Sequence, residues 1–589
     1  MGPKDAFTER QELDVDVYLD DKVVGSGRLV YGSGVTAVAS LRFPSISGEL
    51  EEGVTYTRLL AKTRDGGDLS LFGCQFHGTY VYVDMLVEGD VVEAFRKICV
   101  WYSDVTEWFF VGQQIQGDVG ESLSWVGRPE PVEVEVDIEG EALSVSSWVK
   151  SRRRHSGDDL VIEERVGFVI EKKAGCFSAK QAQEKCKEMA ALLTLLIGHP
   201  VDIEGVGLAV EGSHALHDAY FHYFQRSPNK DRERSWPRFL IQKNALDGRW
   251  KTVIENYHAS SFRTVTWARM AGMLRYEGFW EYRVVGYISL LDGLVQKMGD
   301  GKNVPTSVAP VDRLAQLRKK LGELSEPLSH QQRNQLIKLV GQVYGGGKMP
   351  KPTFTDLYKY ACSVSDSGVV SVIDISDDDF RSITDMRNEI AHGDELSLPP
   401  GGYTRISRVV NKVALLLNYW MWCALGLRPD EILRAVSRTH NPVVLGADIN
   451  RVALHRILMT AKFYSVTEEC FDELSSIKGI GVHACFVLEE DGELQFSEQH
   501  TKMLKEWFSN GVGGLIKPEE IFGVSVEQVA SFGSAYVECG ARHIELIQPC
   551  VLYPHRKALE DMLVDEDESM PTSWLSTGGF QKFKKSARK

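Results

Sequence analysis

Apolar and polar residues alternate along the first 140 positions of the chain. In Leu13-Asp-Val15-Asp-Val17-Tyr-Leu19 every second residue is apolar, the pattern of a strand with one buried face. Gly27-Arg-Leu29-Val-Tyr31, Val83-Asp-Met-Leu-Val87 and Val132-Glu-Val134-Glu-Val136 repeat it, punctuated by Gly and Asp. A strand pair at 160–164 and 167–172 extends the set, a helix follows at 178–197, and β-branched residues recur over 201–210. A sandwich or barrel-like β domain is predicted for 1–210. From about 213 the period becomes helical, with helices expected at 213–225, 250–275, 278–298, 311–322, 327–343, 354–362, 377–392 and 403–426. Beyond Pro429 the pattern changes again: a helix over 450–475, a hairpin of 484–488 with 494–496, a helix over 500–510 and strands at 535–537 and 544–547. The fold class is therefore α+β multidomain. A β-rich N-terminal domain leads through a helical connector at 211–277 to an all-α bundle at 278–430. A small α/β domain at 450–560 and a disordered tail at 561–589 follow.

Composition narrows the picture. Ten scattered cysteines contain no C-x2-C pair, which disfavours a zinc ribbon or a disulfide scaffold and fits a reducing cytoplasm. The opening residues Met1-Gly-Pro-Lys-Asp5 are polar, so no secretion leader is expected. The apolar run Val413–Leu427 is interrupted by Asn418 and is too short for a bilayer; it reads as a buried helix. A net charge of −15 excludes indiscriminate coating of nucleic acid. It leaves room for local basic patches, for which Lys150, Arg152, Arg153 and Arg154, and Arg318, Lys319 and Lys320, are the candidates, each also readable as a solvated face.

The strongest chemical signal lies in Ser376-Asp-Asp-Asp379-Phe380-Arg-Ser-Ile383-Thr-Asp-Met-Arg387-Asn388-Glu389-Ile390-Ala-His392. Ser376 with Asp379 reads as a helix start, and Gly393 as its stop. Phe380, Ile383, Arg387 and Ile390 fall at helical spacing, which places an arginine on an apolar stripe. A desolvated guanidinium needs a carboxylate or phosphate partner. His392 stands in the last turn, where the helix dipole favours positive charge. Five residues separate the pair, roughly 140° around the helix, so one helix alone makes a poor site and the same helix of a second subunit would complete it. A phosphate-holding arginine and a proton-shuttling histidine suit RNA cleavage by the RNA's own 2′-hydroxyl, with no metal or other cofactor required.

Arg387-Asn388-Glu389-Ile390-Ala391-His392 is similar to the Arg-polar-x3-His signature of HEPN ribonucleases. Phe279-Trp-Glu-Tyr-Arg-Val-Val-Gly-Tyr-Ile-Ser-Leu-Leu-Asp292-Gly-Leu294 resembles the opening helix of the HEPN bundle. With the long β-rich region before it, the chain resembles the ApeA-type anti-phage (abortive infection) HEPN proteins over about residues 1–430. The resemblance implies a homodimer or higher even oligomer and a metal-independent endoribonuclease acting on host RNA such as tRNA. It also implies an N-terminal domain that responds to a phage-derived activator. Carried over, Arg387 binds the scissile phosphate, Asn388 orients within the site and His392 is the general acid or base. Glu389 departs from the pattern by placing a carboxylate beside Arg387.

Two rival readings make different demands. In a non-catalytic dimeric scaffold, Arg387 pairs with Glu389 or with an acid across the interface. In a metal-dependent hydrolase, His214, His217, Asp218 and His222 share a helix face and bind a metal; the bland alternative is an amphipathic helix edge. Cys74 and His77 read as structural. The glycines at 345–347 lack P-loop spacing and read as a linker. The aromatic run around Trp101-Tyr102 and Trp108-Phe109 reads mainly as core, with base stacking as the alternative.

Overall fold

The computed structural model describes residues 6–42, 50–111, 113–116, 124–127, 129–157, 159–223, 238–305, 329, 331–336, 340, 351–393, 401–477, 481, 484–489, 494–509 and 517–553. The patch Arg318-Lys319-Lys320, the helix expected at 311–322, most of that at 327–343, the glycine linker and the tail after 560 lie outside them. The chain divides into two units, Met1–Ile449 and Asn450–Lys589.

The first unit begins with strands β1 (Arg10–Leu19), β2 (Lys22–Gly32), β3 (Val35–Arg42), β4 (Thr55–Thr63), β5 (Asp68–His77) and β6 (Tyr80–Glu88). Antiparallel pairing runs β6-β3-β2-β1-β4-β5 and returns from β5 to β6, closing a barrel-like ring. Closure removes the exposed edges that six alternating strands would otherwise carry. Val15 and Val17 of β1 point inward while Asp14 and Asp16 face solvent, as the alternation requires.

β6 has a second role. Its residues Met85–Val87 pair with a strand from much later in the chain, His217–Phe221, and there its alternation gives way to three consecutive buried residues. The second sheet grows from this junction. It contains β7 (Phe95–Tyr102), β10 (Glu133–Ile138), β11 (Glu141–Ser156), β12 (Asp159–Lys172), β13 (Ile203–Val210) and β14 (His217–Phe221), ordered β10-β11-β12-β7-β13-β14-β6. A small hairpin of β8 (Gln114–Gln116) and β9 (Ser124–Val126) stands apart from it.

Helix Ala179–Ile197 packs on β6 and β7. Its start is a capping box of Ser178 and Gln181, and Gly198 ends it at φ 85. A Cβ at Gly198 would lie 2.3 Å from Leu240, so this turn needs glycine for space as well as for backbone conformation. The last four carbonyls of the helix all find partners. Thr194 accepts from Gly198 N, Leu196 from Ile241 N at 3.0 Å, Ile197 from Leu240 N at 2.9 Å, and Leu195 from Trp422 Nε1 at 3.2 Å.

Trp422 belongs to the helical half of the unit. Helices Trp280–Gly299, Phe354–Ser363, Ser367–Ile373, Asp377–His392 and Gly402–Ala424 pack together there. Gly402–Ala424 is buried nearly all round from Val409 to Trp422, which explains its apolar run. Arg249 clasps Glu431 with two bonds of 2.5 Å, a second tie between the β body and this half.

The strand pair expected at 160–164 and 167–172 is one continuous strand, β12, because nothing between Glu164 and Gly167 breaks its pairing with β11. Three further expected elements differ. The helix predicted at 213–225 is the strand β14, whose Ala219, Tyr220 and Phe221 are buried in the second sheet. The helix predicted at 250–275 is two helices, Trp250–Ala259 and Ala268–Arg275, with a π-helical turn at Arg263–Trp267 between them. The helix predicted at 450–475 is Arg451–Leu458, the strand Lys462–Ser465 and helix Glu468–Ser476. In each case a short strand or an extra residue per turn interrupts a pattern that looks continuous in sequence.

The second unit is built around two small sheets. In one, Lys462–Ser465 runs parallel to Ser534–Cys539, which pairs with Arg542–Ile547. In the other, Cys485–Leu488 forms a hairpin with Leu494–Phe496 and runs beside Cys550–Leu552. Phe471, Phe486, Val537, Leu546 and Tyr553 fill its core. Among the described residues no helix is long and apolar enough to cross a membrane.

Candidate active site

The helix expected at 377–392 is present as Asp377–His392. Its start is fixed by Ser376, whose hydroxyl accepts from Asp379 N at 3.1 Å. Its end is Gly393 at φ 76, which donates back to Ile390 O at 3.1 Å. The first two-thirds are clamped. Phe380 stacks on Tyr358 with ring centroids 4.0 Å apart, and Ile383 and Met386 are buried. The Asp379 carboxylate lies 2.9 Å from Arg405 on the next helix. Burial pushes that carboxyl up, but hydrogen bonds from Arg405 and Ser376 outweigh it and hold it below its usual range.

The last turn stands clear of this packing. Asn388, Glu389, Ala391 and His392 are exposed, and Arg387 and Ile390 are half-buried. The apolar stripe therefore continues from Ile383 to Met386, not to Arg387. Positions i+3 and i+4 both neighbour Ile383, and the thioether takes the buried one because a guanidinium would have to shed its water there. The arginine predicted on the stripe is beside it. Arg387 Nη1 donates to Asn388 Oδ1 at 3.1 Å. Among the described residues it forms no ion pair, with Glu389 or with any other carboxylate. A cation held by a single neutral neighbour next to an exposed histidine can take a phosphate oxygen without first breaking a salt bridge.

The other candidates separate. His217 Nδ1 sits 3.0 Å from Glu88 O, and His217 and Asp218 point to opposite faces of β14. His214 precedes the strand and His222 follows it. The shared helical face on which the metal reading of His214, His217 and His222 rested does not exist, and among the described residues no cluster of metal-ligating side chains is formed. Arg152, Arg153 and Arg154 lie near the tip of the β11–β12 hairpin and alternate faces, so they are not one patch. Cys74 is buried and its thiol is pushed up to about 12 by desolvation, a packing residue.

A polar cluster that the sequence did not single out lies at the π-helical turn. Arg263 is 2.7 Å from Glu139, 3.5 Å from Glu188, and donates to His258 Nδ1 at 2.7 Å. It borders an open cleft of about 600 Å³ whose rim includes Asp137, Glu255 and Ser260. His258 is 8% exposed; desolvation, then Lys185 and Arg263, lower its pKa to about 3. The imidazole is neutral, so its 3.8 Å approach to Glu188 is not an ion pair.

This neutral imidazole has a consequence for stability. Unfolded, His258 titrates near 6.5. Below that pH the unfolded chain takes up a proton that the folded chain refuses, so stability falls as pH drops from about 6.5 toward 3. Between pH 6.5 and 5 the loss from this group is about 2 kcal/mol. His258→Gln should flatten that acid-side slope in denaturant titrations at the two pH values. An unchanged slope would contradict a neutral buried imidazole.

No curated protein and no solved structure matches the chain. Residues 20–257, from the first barrel hairpin to helix Trp250–Ala259, match the family described as ApeA N-terminal domain 1, so this N-terminal body is similar to that domain.

Proposed function

We propose that this protein acts in anti-phage defence as a metal-independent endoribonuclease, with Arg387, Asn388 and His392 as its catalytic group. The carrying observation is the last turn of helix Asp377–His392, where a guanidinium free of ion pairs among the described residues and an exposed histidine lie five residues apart. The ApeA N-terminal domain supports the defence role.

The 2′-oxygen of the RNA attacks the adjacent phosphorus and the 5′-oxygen leaves. One proton is removed from the 2′-hydroxyl and one is delivered to the leaving oxygen, giving a 2′,3′-cyclic phosphate and a 5′-hydroxyl. Arg387 stabilises charge on the non-bridging oxygens. Asn388 holds the guanidinium through its amide oxygen. His392 of one copy, beside Arg387 of the other, moves one of these protons, and the second is exchanged with solvent. The substrate is host RNA, with tRNA the candidate, and the N-terminal body governs activity in response to a phage-derived partner.

Cleavage of total RNA by the purified full chain should persist at the same rate in excess EDTA. Loss of activity on chelation, restored by a divalent cation, would overturn the metal-independent reading.

A further inference from the structure

Trp101 and Trp148 are 47 positions apart in sequence, yet strand register makes them neighbours. Trp101 of β7 sits opposite Gly167 of β12, and Gly167 sits opposite Trp148 of β11. On its other side Trp101 faces Gly205 of β13. The indole covers these glycines: a Cβ on Gly167 would come within 2.9 Å of Trp101 Nε1, and one on Gly205 within 3.4 Å of its ring. Trp148 lies beside it with ring centroids 5.9 Å apart and is 38% exposed. Arg165 places its guanidinium 6.0 Å over the Trp101 ring and pairs with Glu204 at 2.7 Å.

This is the outer face of the second sheet. Leu143 and Val145 of β11 point to the core, so Trp148, Lys150, Arg152 and Arg154 point away from it. The three cations follow the tryptophan at every second residue, spaced about 6.6 Å, which is the order of one nucleotide of an extended strand. Arg152 and Arg154 face Glu163 and Val161 across the hairpin, and Lys150 faces Arg165. Arg154 is paired with Glu163 at 2.6 Å, whereas among the described residues Lys150 and Arg152 make no ion pair. At the hairpin end of this face four cations, Lys150, Arg152, Arg154 and Arg165, stand against Glu163 and Glu204 and make a local positive stretch in a chain of net charge −15, while Glu133, Glu135, Asp137 and Glu171 with Lys97 carry the rest of the face. Arg153 lies on the opposite face with Ser151 and His155.

We propose that this outer face, with Trp148 as stacking platform and Lys150, Arg152 and Arg154 as a phosphate row, docks a single-stranded segment of the RNA substrate. The inference rests on the reading that RNA is what this protein acts on. Flat exposed indoles stack on bases that are free of a helix, and a regular cation row follows a strand's backbone. A duplex keeps its bases stacked on one another and leaves the indoles without a partner.

The test uses the full chain carrying His392→Ala, titrated against a labelled unstructured RNA oligonucleotide by fluorescence anisotropy, with a duplex of equal length in parallel. Trp148→Ala should weaken single-strand binding about tenfold, and Trp148→Phe should restore most of it. Arg152→Ala should flatten the dependence of log affinity on log salt by about 0.7, while Arg153→Ala should leave affinity within about twofold of the parent. Unchanged binding by Trp148→Ala, equal losses in Arg152→Ala and Arg153→Ala, or tighter binding of the duplex would each overturn the proposal. The two readings fail separately. A wild-type chain that binds through Trp148 but leaves RNA uncut removes the nuclease and keeps this surface. RNA cutting with Trp148→Ala binding unchanged does the reverse.

Discussion

Replacing His392 by alanine is expected to slow RNA cleavage about 10²–10⁴-fold, the loss that follows removal of a general acid or base. Arg387→Ala should cost about 10²–10³-fold through lost charge stabilisation on the phosphoryl group. Neither change should disturb the fold, because the turn that carries both residues stands outside the packing made by Phe380, Ile383 and Met386. The site's composite character gives a sharper form of the test. If the arginine of one copy serves the histidine of another, a mixture of Arg387→Ala and His392→Ala chains regains activity that each lacks alone. Each mixed pair then contains one site with both groups intact. Full activity in either single variant would remove Arg387 and His392 from the chemistry.

The second large effect concerns the joint between the two halves of the first unit. Trp422 is fully buried, and its indole donates to Leu195 O at 3.2 Å, the last open carbonyl of helix Ala179–Ile197. Trp422→Ala removes a large ring from a close-packed site and leaves that carbonyl without its donor. The expected loss is about 3–5 kcal/mol. Trp422→Phe keeps most of the packing and should lose only about 1–2 kcal/mol, the share of the hydrogen bond. Denaturant unfolding of the three proteins checks the order. Equal stabilities of the Ala and Phe variants would mean that the ring's volume contributes little.

Local signals were legible in the sequence and distant ones were not. Ser376 and Gly393 mark the motif helix at both ends because capping is decided by residues next to the turn they cap. Ser178 and Gln181 do the same for the helix on the sheet. The barrel strands show their alternation because one face of each is wet. β14 does not, because Ala219, Tyr220 and Phe221 are covered on both faces and the period of two disappears. The histidines around it then fell at helical spacing by coincidence. The placement of Arg387 failed for another reason: spacing could not choose between i+3 and i+4 after Ile383, and the choice of Met386 is made by solvation in the bundle. Trp101 beside Trp148, Trp422 under Leu195 and Arg263 against His258 had no visible signal except composition. Their partners are set by strand register and helix packing across long stretches of chain.

The revised position of Arg387 strengthens the chemical account. A guanidinium fixed in the core by a carboxylate would belong to the scaffold reading. A half-exposed one, oriented by Asn388 and free of Glu389, is available to a phosphate. The metal-dependent alternative lost its geometric basis when His214, His217 and His222 proved to straddle a strand.

The most direct measurement of the central claim is end-group analysis of RNA cut by the purified protein in the presence of EDTA. Attack by the 2′-hydroxyl, with His392 and Arg387 in the roles assigned, predicts fragments ending in a 2′,3′-cyclic phosphate and beginning with a 5′-hydroxyl. Fragments ending in a 3′-hydroxyl and beginning with a 5′-phosphate would contradict it.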